Sequence, residues 1–235
     1  MKINPDVFEA YLKCPTKCWL RSAGEISDGN TYSEWVKAQH DSYRVNETQR
    51  LISESPNDEV ALSPDVKNFK ASKWRLASSL AVRAQVDSGI LESELHAVGR
   101  VSSEGRGKHA QFIPIRFAFT NKLYRDDALL LAFDALVLSE MLCCDVTCGK
   151  IVHGDDHATR TVKTAALADK VRKIIGKMAT LLASHSPPDL VLNRHCVECE
   201  FRDRCRQRAI EQDDLSLLSQ SALWSASSRL KFGCT

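Results

Sequence analysis

The chain has 235 residues, 43% hydrophobic and 26% charged, with 32 Lys and Arg against 30 Asp and Glu and a formal net charge of +2. This is enough for one substantial core of ordinary globular composition, and the near neutrality excludes a polybasic protein, so any basic surface is local. The longest apolar run, residues 129–138, contains Asp134 and is too short to span a bilayer. The opening Met1-Lys2-Ile3-Asn4-Pro5-Asp6 lacks the apolar run of a secretory signal. With nine cysteines, that points to the cytoplasm, no membrane, and metal chemistry rather than disulfides.

Asn4 can cap a helix with Pro5 at its first position, and Phe8, Tyr11 and Leu12 fall on one face. Pro15 interrupts it, and residues 16–23 resume as a short helix carrying Trp19. A longer helix is expected over 31–53, with Trp35, His40, Tyr43 and Leu51, then a loop over 53–64 punctuated by Pro56, Asn57 and Pro64. From Leu76 the pattern turns towards period two. Residues 94–101 read as a strand, 102–108 as a glycine-rich turn and 111–119 as the returning strand of a hairpin. Residues 126–142 form a helix apolar on nearly every side, hence buried. Strands at 149–153 and 160–163 flank the turn 154–157. Residues 165–184 are amphipathic, with Leu167, Val171, Ile174, Ile175, Met178 and Leu182 inward, and Pro187-Pro188 ends them. Strands flanked by helices describe a mixed α/β domain over 1–218, and the Ser-rich 219–235 reads as a loosely attached tail.

The chemistry sits near the C-terminus, in Asn193-Arg194-His195-Cys196-Val197-Glu198-Cys199-Glu200-Phe201-Arg202-Asp203-Arg204-Cys205. Cys196, Cys199 and Cys205 stand at C-x2-C-x5-C among charged neighbours, and the short first gap suits two ligands of one metal or cluster. The set is one ligand short. The missing donor is Cys14 or Cys18, in Tyr11-Leu12-Lys13-Cys14-Pro15-Thr16-Lys17-Cys18, so a metal would staple the two ends of the chain together. Four thiolates suit Zn2+ or an iron–sulfur cluster equally well.

Tyr11-Leu12-Lys13-Cys14-Pro15, the late C-x2-C-x5-C and the strand–turn–strand–helix between them resemble the RecB-like nucleases of the PD-(D/E)XK superfamily. The similarity is to their iron–sulfur branch, which includes the CRISPR-associated RecB-like exonucleases, the AddB type, and the N-terminal module of RecB-like nuclease–helicase proteins. It runs from about Val7 to Leu218. It implies a restriction-endonuclease-like core with a mixed central sheet, cleavage of DNA, and a helicase or other DNA-processing partner. It further implies a [4Fe–4S] cluster on Cys14, Cys196, Cys199 and Cys205, with Cys14 preferred to Cys18 because it directly precedes proline.

The family's chemistry needs an acid at the end of one strand and an acid-x-Lys on the next, holding Mg2+ or Mn2+ against the scissile phosphate. Carried over, the resemblance puts His40 at the family's early histidine. The first acid falls on Ser102, the second on Arg116 and the lysine on Ala118, while Leu130 and Asp134 take the helical Gln and Tyr positions. Nearly every catalytic position departs from the pattern. Arginine adds positive charge where a cation should bind, so this site is expected to hold a divalent ion badly. That leaves three expectations open: a DNA nuclease, an inactive DNA-binding or helicase-docking module of the same fold, and a structural zinc protein.

Asp65-Val66-Lys67 has the acid-x-Lys spacing but follows Pro64 in a loop, and Asp87, Glu92, Glu94 and Glu104 read as solvated charges. Cys143, Cys144 and Cys148 read as core residues at the end of the buried helix. His153 and His157 read as hydrogen-bonded turn histidines. Arg194, Arg202, Arg204, Arg206 and Arg208, with Lys170, Lys173 and Lys177, could track a phosphate backbone, diluted by Glu198, Glu200 and Asp203. No nucleophile elbow, P-loop or dinucleotide fingerprint occurs.

Overall fold

A computed structural model describes residues 1–64, 69, 73–101, 110–184 and 186–218. Strand β1 (Lys2–Ile3) leads into helices α1 (Pro5–Lys13), α2 (Pro15–Ser22) and α3 (Thr31–Ser53). Strands β2 (Val60–Leu62), β3 (Leu76–Val86), β4 (Gly89–Val101) and β5 (Gln111–Ala118) follow, then α4 (Arg125–Leu142), β6 (Gly149–His153), β7 (Ala158–Val162), α5 (Ala165–Ala183) and α6 (Arg202–Glu211). Asn4 caps α1 as expected, its side-chain oxygen accepting the Val7 N–H at 2.9 Å with Pro5 behind it.

The strands form one seven-stranded mixed sheet in the order β2-β3-β4-β5-β6-β7, with β1 paired to β4. β3, β4 and β5 are antiparallel neighbours, and β6 returns parallel to β5 through the crossover helix α4. The thirteen-residue β4 is shared along its length. Its first residues take β1 (Lys2 against Ile90) and its last take β5 (Ala97 against Ile115). Helices cover both faces. Ala118 meets Leu131 of α4 on one side, whereas its neighbour Phe117 packs with Tyr43 and Leu51 of α3 on the other, the alternation a strand dictates. On the α4 side α1 adds Phe8, whose ring stacks on Phe133 at 4.7 Å, and α5 adds Val171, Ile175 and Met178.

The sheet is kinked where Ser79 faces His96. Leu80 and Leu95 belong to the α4-side core, whereas Ala97, only two residues beyond Leu95, belongs to the α3 side. On a regular strand they would share a face. Register survives, with Leu80 opposite Leu95 and Ser78 opposite Ala97, so both strands turn over together. Ser79 carries the turn with φ 52, the left-handed region that a non-glycine residue seldom enters. Where the β4–β5 ladder ends at Ala97 and Ile115, the His96 side chain adds one more link: its Nδ1 accepts the Phe117 N–H at 3.0 Å.

Several expectations change. The 53–64 loop contains a short 3-10 turn, Asn57–Glu59, and the strand β2, which exists because Val60 to Leu62 pair in parallel with β3. Cys143 is not a core residue: α4 ends at Leu142 and Cys143 adopts φ 48, which turns it out to solvent, while Cys144 and Cys148 are half-buried. His157 does work in a turn, as expected. Its Nδ1 lies 2.6 Å from the fully buried Glu47 of α3, and Tyr43 donates to the Gly154 carbonyl at 2.9 Å, so α3 is fastened to the β6–β7 turn. The expected turn over 102–108, Asp65-Val66-Lys67 and the 219–235 tail lie outside the described residues.

Candidate metal centre and the cleft around Arg116

Cys14, Cys196, Cys199 and Cys205 line one small cavity, together with Lys17, Leu190, Asn193 and Phe201 among others. Local structure explains how each arrives. Cys14 ends α1 and precedes Pro15, so its extended backbone (φ −165) sits at the elbow between two helices. Cys18, one turn on, is fully buried in the main core and is not among the residues lining the cavity. Cys196 lies in the 3-10 turn Arg194–Glu198, Cys199 closes it, and Cys205 is carried by α6.

The two ends of the chain are clasped around this cavity. Asn193 Nδ2 donates to the Lys13 carbonyl at 3.2 Å. Asn30 Nδ2 donates to the carbonyls of Val197 and Cys199, both at 3.2 Å. Glu200 accepts Lys17 at 2.7 Å and Arg21 at 2.6 Å, and Arg204 reaches Glu25 at 2.9 Å. Trp19 Nε1 donates to the Ser184 carbonyl at 3.3 Å. Of the expected basic cluster, Arg204 is thereby spent on structure.

The donor chemistry fits a soft metal. Two sulfurs already accept backbone N–H groups, Cys196 from Asn193 at 3.2 Å and Cys199 from Phe201. Burial pushes the Cys199 thiol up to about 11. Burial, then Cys199, Cys14 and Cys196, push that of Cys205 up to about 12. Thiols this hard to ionise, and facing one another, are stable as thiolates only beside compensating positive charge. Among the described residues no group of three or more His, Cys, Asp or Glu side chains is set to hold a metal ion. A tetrahedral zinc needs its sulfurs about 3.8 Å apart, from Zn–S bonds of about 2.3 Å. A cubane needs them further apart, because its own iron and sulfide stand between the ligands.

The positions expected for nuclease chemistry are spread over β5, α4 and α3. Arg116 of β5 donates to Asp134 Oδ2 of α4 at 2.5 Å, and Ser93 of β4 donates to Asp134 Oδ1 at 2.7 Å. Asp134 is 3% exposed, the one charge in the apolar helix α4's buried stretch. Ala118 is buried against Leu131 and Ile151, and Leu130 lies in the core. His40, on α3, meets Phe119 edge-on at 4.6 Å and is held below its ordinary value by burial. Ser102 lies outside the described residues.

Charges the sequence did not single out gather here. Glu9 pairs with Lys13 at 2.7 Å, and this pairing overcomes the upward push of burial on its carboxyl. Asp127 is raised by burial while accepting the Tyr124 N–H at 2.7 Å. A cleft of about 900 Å3 opens beside Arg116, lined by Arg44, Arg83, Ser79, Ser93, Glu94 and His96 among others. Glu92 and Glu94 are not free carboxylates: Glu92 takes Lys2 at 2.6 Å and Glu94 takes Arg44.

No family model matches the chain, and no curated protein does. Among solved structures, one described as the crystal structure of SSO0001 is similar, with a TM-score of 0.43 and 14% identity over 85% of this chain and 83% of that one. Among the described residues no helix is long and apolar enough to cross a membrane.

Proposed function

We propose that the chain is a RecB-like domain of the PD-(D/E)XK kind that binds DNA without cutting it. The observation that carries this reading is the Arg116–Asp134 ion pair. Magnesium requires several oxygen ligands in near-octahedral array. At the position the resemblance gives to a metal-binding acid, a guanidinium instead points at Asp134, whose two oxygens are already used by Arg116 and Ser93. Ala118 offers no ammonium to a water nucleophile. The antiparallel β3-β4-β5 meander, the crossover α4 and the parallel β6 fit the layout that the resemblance implies.

Binding without cleavage needs only charge and shape. Arg44, Arg83 and Arg116 line the cleft, each paired with a carboxylate (Glu94, Glu92 and Asp134), so a DNA phosphate would compete with those partners in contacts that are sequence-independent and salt-sensitive. Cys14, Cys196, Cys199 and Cys205 would hold a [4Fe–4S] cluster, or Zn2+ in the alternative, which crosslinks the two ends of the chain. A helicase or similar DNA-processing protein is the expected companion, and cleavage with Mg2+ or Mn2+ belongs to the competing reading of an active nuclease.

Incubating the full chain with labelled single- and double-stranded DNA tests this. No cleavage with Mg2+ or Mn2+, together with a gel shift that weakens as salt rises, supports the proposal. Metal-dependent cleavage returns the chain to the active nucleases, and absence of any salt-sensitive binding overturns the DNA reading altogether.

A further inference from the structure

Lys17 brings a positive charge into the wall of the cysteine cavity. It is 8% exposed, lies one turn beyond Cys14 at the start of α2, and lines the same space as the four thiols. Lysine is rarely so buried without a charged partner. Its partner is Glu200 at 2.7 Å, the residue next to Cys199. Glu200, however, also takes Arg21 at 2.6 Å, so two cations share one carboxylate and the group carries a surplus positive charge beside the sulfurs. The surplus has an obvious use. Four thiolates around a divalent ion, or around a cubane core of charge 2+, leave a net charge of roughly −2 in a half-buried place.

We propose that Lys17 is the charge-compensating residue of the four-cysteine centre, and that Glu200 opposes it, so that the pair sets how tightly a soft metal is held. This rests on the reading that Cys14, Cys196, Cys199 and Cys205 share one metal. Lys17 acts through charge and is a positioning and tuning residue, not a ligand. The bland alternative is that Lys17 and Glu200 merely clasp α2 to the C-terminal loop. The two accounts differ in sign. If the salt bridge is only a clasp, removing either partner loosens the site in the same way. If charge decides, removing Lys17 weakens the metal and removing Glu200 strengthens it.

The experiment is a competition titration of the reduced full chain with Co2+ against a chelator, read at the thiolate-to-cobalt absorption. Lys17→Gln is expected to weaken Co2+ binding by about 10–100-fold, the range for residues just outside a metal's ligands. Glu200→Gln should tighten it, and Lys17→Arg should restore native affinity. Equal weakening in Lys17→Gln and Glu200→Gln overturns the proposal, as does unchanged affinity in both, and either result leaves the four-cysteine reading standing. Failure of the native chain to take up Co2+, and to form a cluster when reconstituted with iron and sulfide, overturns that reading, and this proposal with it. Should Lys17→Gln not fold, the direction of Glu200→Gln alone decides, because only a charge effect makes it bind more tightly.

Discussion

The guanidinium of Arg116 and the carboxylate of Asp134 form a buried ion pair at 2.5 Å, tying the middle of the sheet to the helix that crosses it. Breaking such a pair leaves a charge poorly solvated, which costs up to about 3–5 kcal/mol. Asp134→Ala should therefore lower the unfolding free energy by roughly that amount. Arg116→Met combined with Asp134→Leu should recover most of it, since a well-packed apolar pair of similar volume is often neutral. Urea unfolding of the three proteins decides this. A double variant as unstable as the single one would mean that the pair does more than neutralise itself.

His96 predicts a pH dependence. Burial first, then the nearby Arg116, Arg44 and His40, hold its imidazole well below the ordinary value. The folded protein thus refuses a proton that the unfolded chain accepts near pH 6.5. Its contribution is complete above that pH and falls as the solution is acidified below it, by up to about 1.4 kcal/mol per pH unit for one proton. His96→Asn keeps an acceptor for the Phe117 N–H and cannot titrate. Its urea midpoint should change less between pH 7.5 and 5.5 than that of the native chain. Identical changes would remove His96 from the account.

Asn30 serves two structures at once. Its side-chain oxygen caps α3 by accepting the N–H groups of Tyr32 and Ser33 at 3.0 and 3.2 Å, while its Nδ2 holds the carbonyls of Val197 and Cys199. Asn30→Ala should cost about 1–2 kcal/mol, a lost cap. Asn30→Asp keeps the cap and loses only the donors, so it should speed amide exchange in the 194–200 segment while leaving the first turn of α3 protected. Equal loosening of both segments would show that the two roles are not separable.

Gly154 has φ +72, and a Cβ there would sit 2.4 Å from Asn121 Oδ1. Asn121 in turn exchanges two hydrogen bonds with Asp155, at 3.0 and 2.9 Å. Gly154→Ala should cost more than about 1 kcal/mol, from the left-handed backbone and the displaced Asn121 together. It should also release the Tyr43 contact that anchors α3 to this turn. A thermal midpoint equal to the native one would contradict this.

Much of this arrangement is legible in the residues. Asn4-Pro5, the 31–53 helix, the 94–101 and 111–119 strands and the wholly apolar 126–142 helix are local signals, and the structure follows them to within a few residues at each boundary apart from the earlier start of β4 at Gly89. Strands β1 and β2 are not legible, since two or three residues become strand only by finding a partner. The kink at Ser79 and His96 is equally hidden: it needs both strands at once. Asp134 gave half a signal, because a lone acid in an apolar helix demands a cation, but nothing in the sequence names Arg116 as that cation. Lys17 was in plain view between Cys14 and Cys18, and its burial against Glu200 arises only when the ends of the chain meet.

The meeting of those ends at one inorganic centre is best tested by metal, iron and acid-labile sulfide analysis of oxygen-free protein, with its ultraviolet–visible spectrum, for the native chain and for Cys14→Ala, Cys18→Ala and Cys199→Ala. The account predicts one centre per chain, brown with broad absorbance near about 400 nm for an iron–sulfur cluster. It predicts that the centre is lost in Cys14→Ala and Cys199→Ala and kept in Cys18→Ala. A native protein without metal, or a centre that survives the loss of Cys14, would contradict it.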